Sequence, residues 1–195
     1  MTAPSVSTPA ATTPTPDGPP GRTARSTRVA TVVGNPRAGS RTRTAAESAA
    51  RAIATRLGLD VAPTLDLADL APELFAAAHP TADAALDRLA TARVAVVATP
   101  VYKASYTGLL KAFLDLYGAD GLRGLVVVPL VVSGNPSHAL AGEVHLRPLL
   151  VELGAIVPTR TLALTESQLR GLDAVVTAWV DTHGDQLARA VGVDA

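Results

Sequence analysis

The 195-residue chain contains no cysteine, so it forms no disulfide, offers no thiolate to a metal and carries no thiol nucleophile. Charge of neither sign is in excess: 17 basic and 17 acidic residues cancel, and no basic run interleaved with aromatics marks a nucleic-acid surface. Aromatic residues are scarce, and two of the three tyrosines, Tyr102 and Tyr106, stand in a single short segment. No uninterrupted apolar stretch reaches the ~20 residues needed to cross a bilayer. A secretory leader would need an apolar core of about 7–15 residues near the start, and none is found. These absences predict a soluble protein with neither membrane nor nucleic-acid partner and no metal, compatible with a reducing cytoplasm.

Residues 1–27 have almost no bulky apolar side chain and are dominated by Thr, Pro, Ser, Ala, Gly and Arg. Such a composition buries too little surface to offset the entropy of ordering, so a mobile tail is expected there. The remaining residues, 28–195, suffice for one domain but not for two ordinary ones. The whole chain is 48% hydrophobic, enough for a sizeable core.

From Arg28 onward strand-like and helix-like segments alternate. Val29 to Val33 reads as a short buried strand that stops at Gly34, and Ala46, Ala49, Ala50, Ile53 and Leu57 then fall at helical spacing before Gly58. Val61 to Leu67 is a weaker strand whose Pro63 puts it at a sheet edge. A helix over Ala82 to Leu89 leads into a strand over Arg93 to Ala98, then a nearly all-apolar helix over Thr107 to Tyr117. Leu125 to Val132 is the clearest central strand, and Asn135-Pro136 after it has the form of an N-cap followed by proline at the first helical position. A last strand is predicted over Ala155 to Thr161. The final helix follows, with Leu169, Leu172, Val176, Trp179 and Leu187 as its inner stripe.

Five βα units predict a doubly wound parallel sheet, and a flavodoxin-like five-stranded order, 2-1-3-4-5, fits the count. The alternative six-stranded dinucleotide fold would need another strand. Its Gly-x-Gly-x-x-Gly turn is also missing after Val33.

In that turn's place stands Gly34-Asn-Pro-Arg-Ala-Gly-Ser-Arg-Thr42. Backbone amides at a helix start, the hydroxyls of Ser40 and Thr42 and the guanidinium groups of Arg37 and Arg41 together suit a phosphate dianion. The same residues also suit a plain polar turn in which Ser40 caps the helix, with Thr44 and Glu47 as a competing capping box.

The second distinctive segment is Ala98-Thr-Pro-Val-Tyr-Lys-Ala-Ser-Tyr-Thr-Gly-Leu-Leu-Lys111, a loop between strand and helix. It resembles the corresponding loop of the NAD(P)H-dependent FMN reductases, above all the reductase components of two-component alkanesulfonate monooxygenases. Pro36, Arg37, Ser40, Arg41 and Thr42 match the family's Gly-Ser-Pro-Arg and Ser-Arg-Thr pattern, with Asn35 in place of the usual serine. The resemblance implies FMN as the flavin and NADPH or NADH as the reductant. It assigns the FMN phosphate to Asn35, Arg37, Ser40, Arg41 and Thr42. It places the flavin ring against Pro100, Val101, Tyr102, Lys103, Ala104 and Ser105, with Ser133, Gly134, Asn135 and His138 as a third wall.

No protein nucleophile is required, because a flavin receives hydride at ring N5 and the protein supplies orientation and electrostatics. Lys103 is either a stabiliser of the reduced ring's charge or a solvated loop lysine. The resemblance further implies a homodimer or homotetramer and a partner monooxygenase that uses the reduced flavin. A flavin-retaining quinone or azo-type reductase is the first alternative. A flavodoxin-like electron carrier is the second, although such carriers use a phosphate loop without arginine.

The histidines do not form a metal site. His138 and His145 would lie roughly 10.5 Å apart along one helix at about 1.5 Å per residue, and His79 and His183 read as surface residues. In the sulfonate-system reductases an inserted aromatic or histidine bulges the helix that corresponds to the one carrying His145, at a subunit interface. Val144-His145 stand in that region, and the sequence alone leaves the bulge unassigned.

Overall fold

β-branched runs supply most of the strands and small apolar residues at helical spacing supply the first helix, so the order of elements follows the sequence pattern closely. The computed structural model describes residues 26–192. Residues 1–25 of the expected tail lie outside this range. Its last two residues are tied down, with Ser26 N–H donating to Thr91 O at 2.9 Å and Thr27 O accepting from Asp60 N–H at 3.0 Å.

The strands are β1 (Arg28–Val33), β2 (Asp60–Val61), β3 (Leu65–Asp66), β4 (Val94–Pro100), β5 (Val126–Ser133) and β6 (Leu162–Thr165). Between and after them come helices α1 (Arg41–Leu57), α2 (Pro80–Ala90), α3 (Gly108–Leu114), α4 (Arg147–Glu152) and α5 (Leu172–Val191). The sheet runs β2-β1-β4-β5-β6, all parallel, with β3 also paired to β1. Pro63, which has no N–H to donate, divides the expected second strand in two. One piece pairs with Arg28 and Val29, the other with Val32 and Val33. Counting them as one strand gives the order 2-1-3-4-5, the flavodoxin-like arrangement.

Each face of the sheet is covered. Ala30 and Val32 of β1 pack with α2, α3 and α4, whereas Val29 and Val33 pack with α1 and α5. α1 starts at Ser40, whose hydroxyl accepts from Arg43 N–H, and stops at Gly58 in the left-handed conformation with φ 64°. The expected stripe Ala46, Ala49, Ala50, Ile53 and Leu57 is buried throughout.

Several expectations are corrected. The last strand is Leu162–Thr165, not Ala155 to Thr161: Ile156 makes one isolated bridge to Val126, and Pro158 then prevents pairing until Leu162. α3 is shorter than Thr107 to Tyr117, with Thr107 as its cap and tighter turns at Leu116 and Tyr117. In α5, Val180 is buried in addition to the expected stripe, Trp179 packs half-buried against the same core cluster, and Leu169 does so from a 3₁₀ turn that precedes the helix. His79 and His183 lie at the surface, each half-buried, one bonded to Asp83 and the other against the Trp179 ring.

Asn135-Pro136 does start a helix, but only the 3₁₀ turn Pro136–His138, so His138 and His145 share no continuous helix. A π-helical segment, Gly142–Leu146, follows and contains Val144 and His145. Gly142 is needed there, since an added Cβ would lie 2.3 Å from Thr161 Cγ2. The segment is held by Glu143, which accepts from Arg147 Nε and from Thr161 N–H, both at 2.6 Å. Burial pushes the Glu143 carboxyl up, but Arg147 and the Thr161 donors outweigh it and hold the pKa down at about 2.

Candidate functional site

Parallel strands deliver all their following loops to one edge of the sheet, and three of those loops come together at the carboxyl ends of β1, β4 and β5. Gly34 N–H donates to Ala98 O at 2.7 Å, Thr107 Oγ1 donates to Gly34 O at 2.5 Å, and Val101 N–H donates to Val132 O at 2.8 Å. Thr99 Oγ1 in turn accepts from Thr107 N–H at 3.2 Å. An added Cβ at Gly34 would sit 2.6 Å from Leu110 Cβ, so the first loop and α3 approach as closely as only glycine allows.

The first loop is braced from within. Asn35, 7% exposed, donates from Nδ2 to Thr42 Oγ1 at 3.1 Å and accepts from Arg37 N–H at 2.9 Å. Ser40 caps α1 in the structure, so the competing capping box is not formed: Glu47 instead pairs with Arg43 at 2.8 Å and accepts from Thr64. The Arg43 hydrogen bond holds the Glu47 carboxyl below its ordinary range against the opposing effect of burial. Gly39 N–H donates to the buried carboxylate of Asp66 at 3.3 Å. Among the described residues, the N–H groups of Arg41 and Thr42 have no protein acceptor. They are the unsatisfied donors of a helix start, and the macrodipole favours an anion beside them.

The second loop is a two-residue hairpin. Tyr102 and Ser105 exchange backbone hydrogen bonds of 2.9 and 3.1 Å, and between them Lys103 and Ala104 both adopt positive φ, 52° and 65°. Hairpins of this hand normally carry Asn-Gly at those places, so a Lys-Ala pair holds backbone strain at the mouth of the crevice. Val101 and Tyr102 use their N–H groups inside the fold. Among the described residues, the amides of Lys103, Ala104 and Tyr106 have no protein acceptor. Lys103 is exposed and makes no ion pair among the described residues.

The third loop runs from Ser133, whose hydroxyl donates to Asn135 O at 3.0 Å, to the exposed His138. Nothing lies within 4 Å of where a Gly134 Cβ would stand, so this stretch of backbone faces open space. The three groups of residues expected from the sequence therefore stand on neighbouring loops at one edge of the sheet, each at its own strand end.

Residues 27–168 match the family model described as NADPH-dependent FMN reductase. The chain belongs to the NADPH-dependent FMN reductase family. Among its relatives, FMN reductase (NADPH) of Escherichia coli (strain K12) is 39% identical over 132 residues, 66% of this chain and 68% of that protein. The NADH-dependent FMN reductase SfnF of Pseudomonas putida is 44% identical over 64 residues, about a third of each chain. Among solved structures, the apo form of the NADH:FMN oxidoreductase EMOB superposes with a TM-score of 0.69 at 32% identity, covering 85% of this chain and 86% of that one.

Within this reductase family fold, two polar residues at the crevice were not anticipated from the sequence. Asp66 fixes the first loop through Gly39, and Glu166 binds Arg41 NH2 at 2.8 Å from the end of β6. The alternation Leu-Ala-Leu-Thr of residues 162–165 was the available signal for Glu166, because a strand there sends the next residue to the carboxyl edge. Among the described residues, no group of three His, Cys, Asp or Glu side chains is arranged to hold a metal ion. No described helix is long and apolar enough to cross a membrane.

Proposed function

We propose that this protein catalyses NAD(P)H-dependent reduction of FMN in the crevice between loops 34–42, 99–106 and 133–138, and releases the reduced flavin to a partner monooxygenase. The observation that carries the site is the free N-terminus of α1. Two amides without protein acceptors among the described residues lie at the helix start beside Ser40, Arg41 and Thr42, with the exposed Arg37 in the same loop, a set of residues that suits the FMN phosphate. The residues present fit the flavin. The hairpin amides of Lys103 and Ala104 are free to donate to the polar edge of its ring, and the Gly134 backbone leaves room for close approach.

When bound, FMN supplies the hydride acceptor, so the protein's part is binding, orientation and electrostatics. The strained hairpin fixes the ring donors before the ligand arrives, and Lys103 adds a cation at the rim. Asn35 acts behind the phosphate site, since both ends of its amide brace the loop through Thr42 and Arg37. In this reading the protein is a homodimer or homotetramer. Support comes from the apolar residues Leu140, Val144 and Val151, all more than half exposed along the π segment and α4, where the family resemblance puts a subunit contact.

The test is steady-state oxidation of NADH and NADPH by dialysed protein, with and without added FMN. A largely colourless protein whose turnover requires added FMN supports release of the product. Stoichiometric yellow flavin that survives dialysis and turns over quinones supports a flavin-retaining reductase instead. Absence of turnover with either nucleotide contradicts reductase function.

A further inference from the structure

Glu166 is set at the crevice by backbone, not by chance of rotamer alone. Its N–H donates to Ser133 O at 2.9 Å, which fixes the end of β6 beside the third loop. Its carboxylate, with the side chain 48% exposed, then reaches Arg41 NH2 at 2.8 Å across 125 residues of sequence. Arg41 is the first residue of α1 and adjoins the free amides at the proposed phosphate site. Of the three arginines in this segment, Arg43 is already engaged by Glu47 and Asp66. Arg37 is exposed with no ion pair among the described residues, so Glu166 is the carboxylate that engages Arg41.

We infer that Glu166 tempers FMN affinity by competing with the flavin phosphate for Arg41. This inference rests on the reading of Ser40 to Thr42 as the phosphate site. A guanidinium edge that bonds a carboxylate has fewer donors left for a phosphate, and a negative charge beside the helix start repels an arriving dianion. Arg41 and Glu166 line one cleft of about 350 Å³ with Thr44, Leu169, Arg170 and Leu172, so the ion pair stands in an open recess beside the start of α1. For an enzyme that must release its flavin, a carboxylate in this place sets affinity without touching the reacting ring.

The experiment measures dissociation constants of FMN and riboflavin by flavin-fluorescence quenching for wild type, Glu166→Gln and Arg41→Ala. Glutamine keeps the size of glutamate and one accepting oxygen but removes its charge. The expected result is FMN bound about three- to tenfold more tightly by Glu166→Gln, the scale of one exposed charge contact and its repulsion. Riboflavin, which lacks the phosphate, is bound as by wild type, and the apparent KM for FMN falls. Arg41→Ala is expected to weaken FMN about ten- to a hundredfold and leave riboflavin nearly unchanged. If Arg41→Ala is selective for FMN but Glu166→Gln leaves FMN binding unchanged or weaker, the phosphate site stands and the competition is overturned. If Arg41→Ala affects both flavins equally, the phosphate reading fails, and the competition with it.

Discussion

Ala104 sits at φ 65° in the hairpin between Tyr102 and Ser105, a conformation that costs an L-residue with a Cβ about 1–2 kcal/mol. Ala104→Gly removes that cost, while the greater freedom of glycine in the unfolded chain takes back about 0.5–1 kcal/mol. The net expectation is a stabilisation of about 0.5–1 kcal/mol. For a domain of this size that raises Tm by roughly 1–4 °C. Ala104→Val should do the reverse, because a β-branched side chain is a poorer occupant of this region than alanine. The gain in stability should come with weaker FMN binding, by less than tenfold, since a glycine hairpin is less ordered before the flavin docks. Thermal melts by circular dichroism and flavin-fluorescence titration measure the two effects. A fall in Tm for Ala104→Gly would refute the assignment of strain to this turn. Tighter FMN binding by the same variant would refute the claim that the hairpin is ordered for the ring.

Gly34→Ala is expected to destabilise the fold by about 1–3 kcal/mol, because the new methyl would stand 2.6 Å from Leu110 Cβ and force β1 and α3 apart; chemical denaturation gives the value. Glu143 has its carboxyl pKa lowered to about 2 by Arg147 and Thr161 against burial, so its contribution to stability is full above the unfolded carboxylate range near pH 4.5. That contribution is lost as the pH falls toward 2, and Glu143→Gln should flatten this part of a pH–stability curve; an unchanged curve would place the ion pair outside the energetics of the π segment.

Much of the fold was legible because its signals are local. The runs Val29 to Val33 and Val94 to Val97 announce strands, and the spacing of Ala46 to Leu57 announces the first helix, without knowledge of any distant contact. The last strand was misread for an equally local reason: Ile156 and Val157 have strand propensity, but Pro158 ends their pairing, and propensity does not show where a partner strand lies. At the proposed site, residue types pointed to three loops that the fold sets side by side at the carboxyl edge of the sheet. Their internal arrangement was hidden, because nothing in Lys103-Ala104 signals two left-handed residues, and Arg41 and Glu166 meet only through the tertiary fold.

The most direct test of the proposed site is a crystal structure of the protein grown or soaked with FMN. The flavin is predicted in the crevice, its phosphate at the amides of Arg41 and Thr42 and the hydroxyls of Ser40 and Thr42, and its ring between the Tyr102–Ser105 hairpin and Gly134. Flavin bound at any other place, or bound here with the phosphate away from the start of α1, would contradict the account.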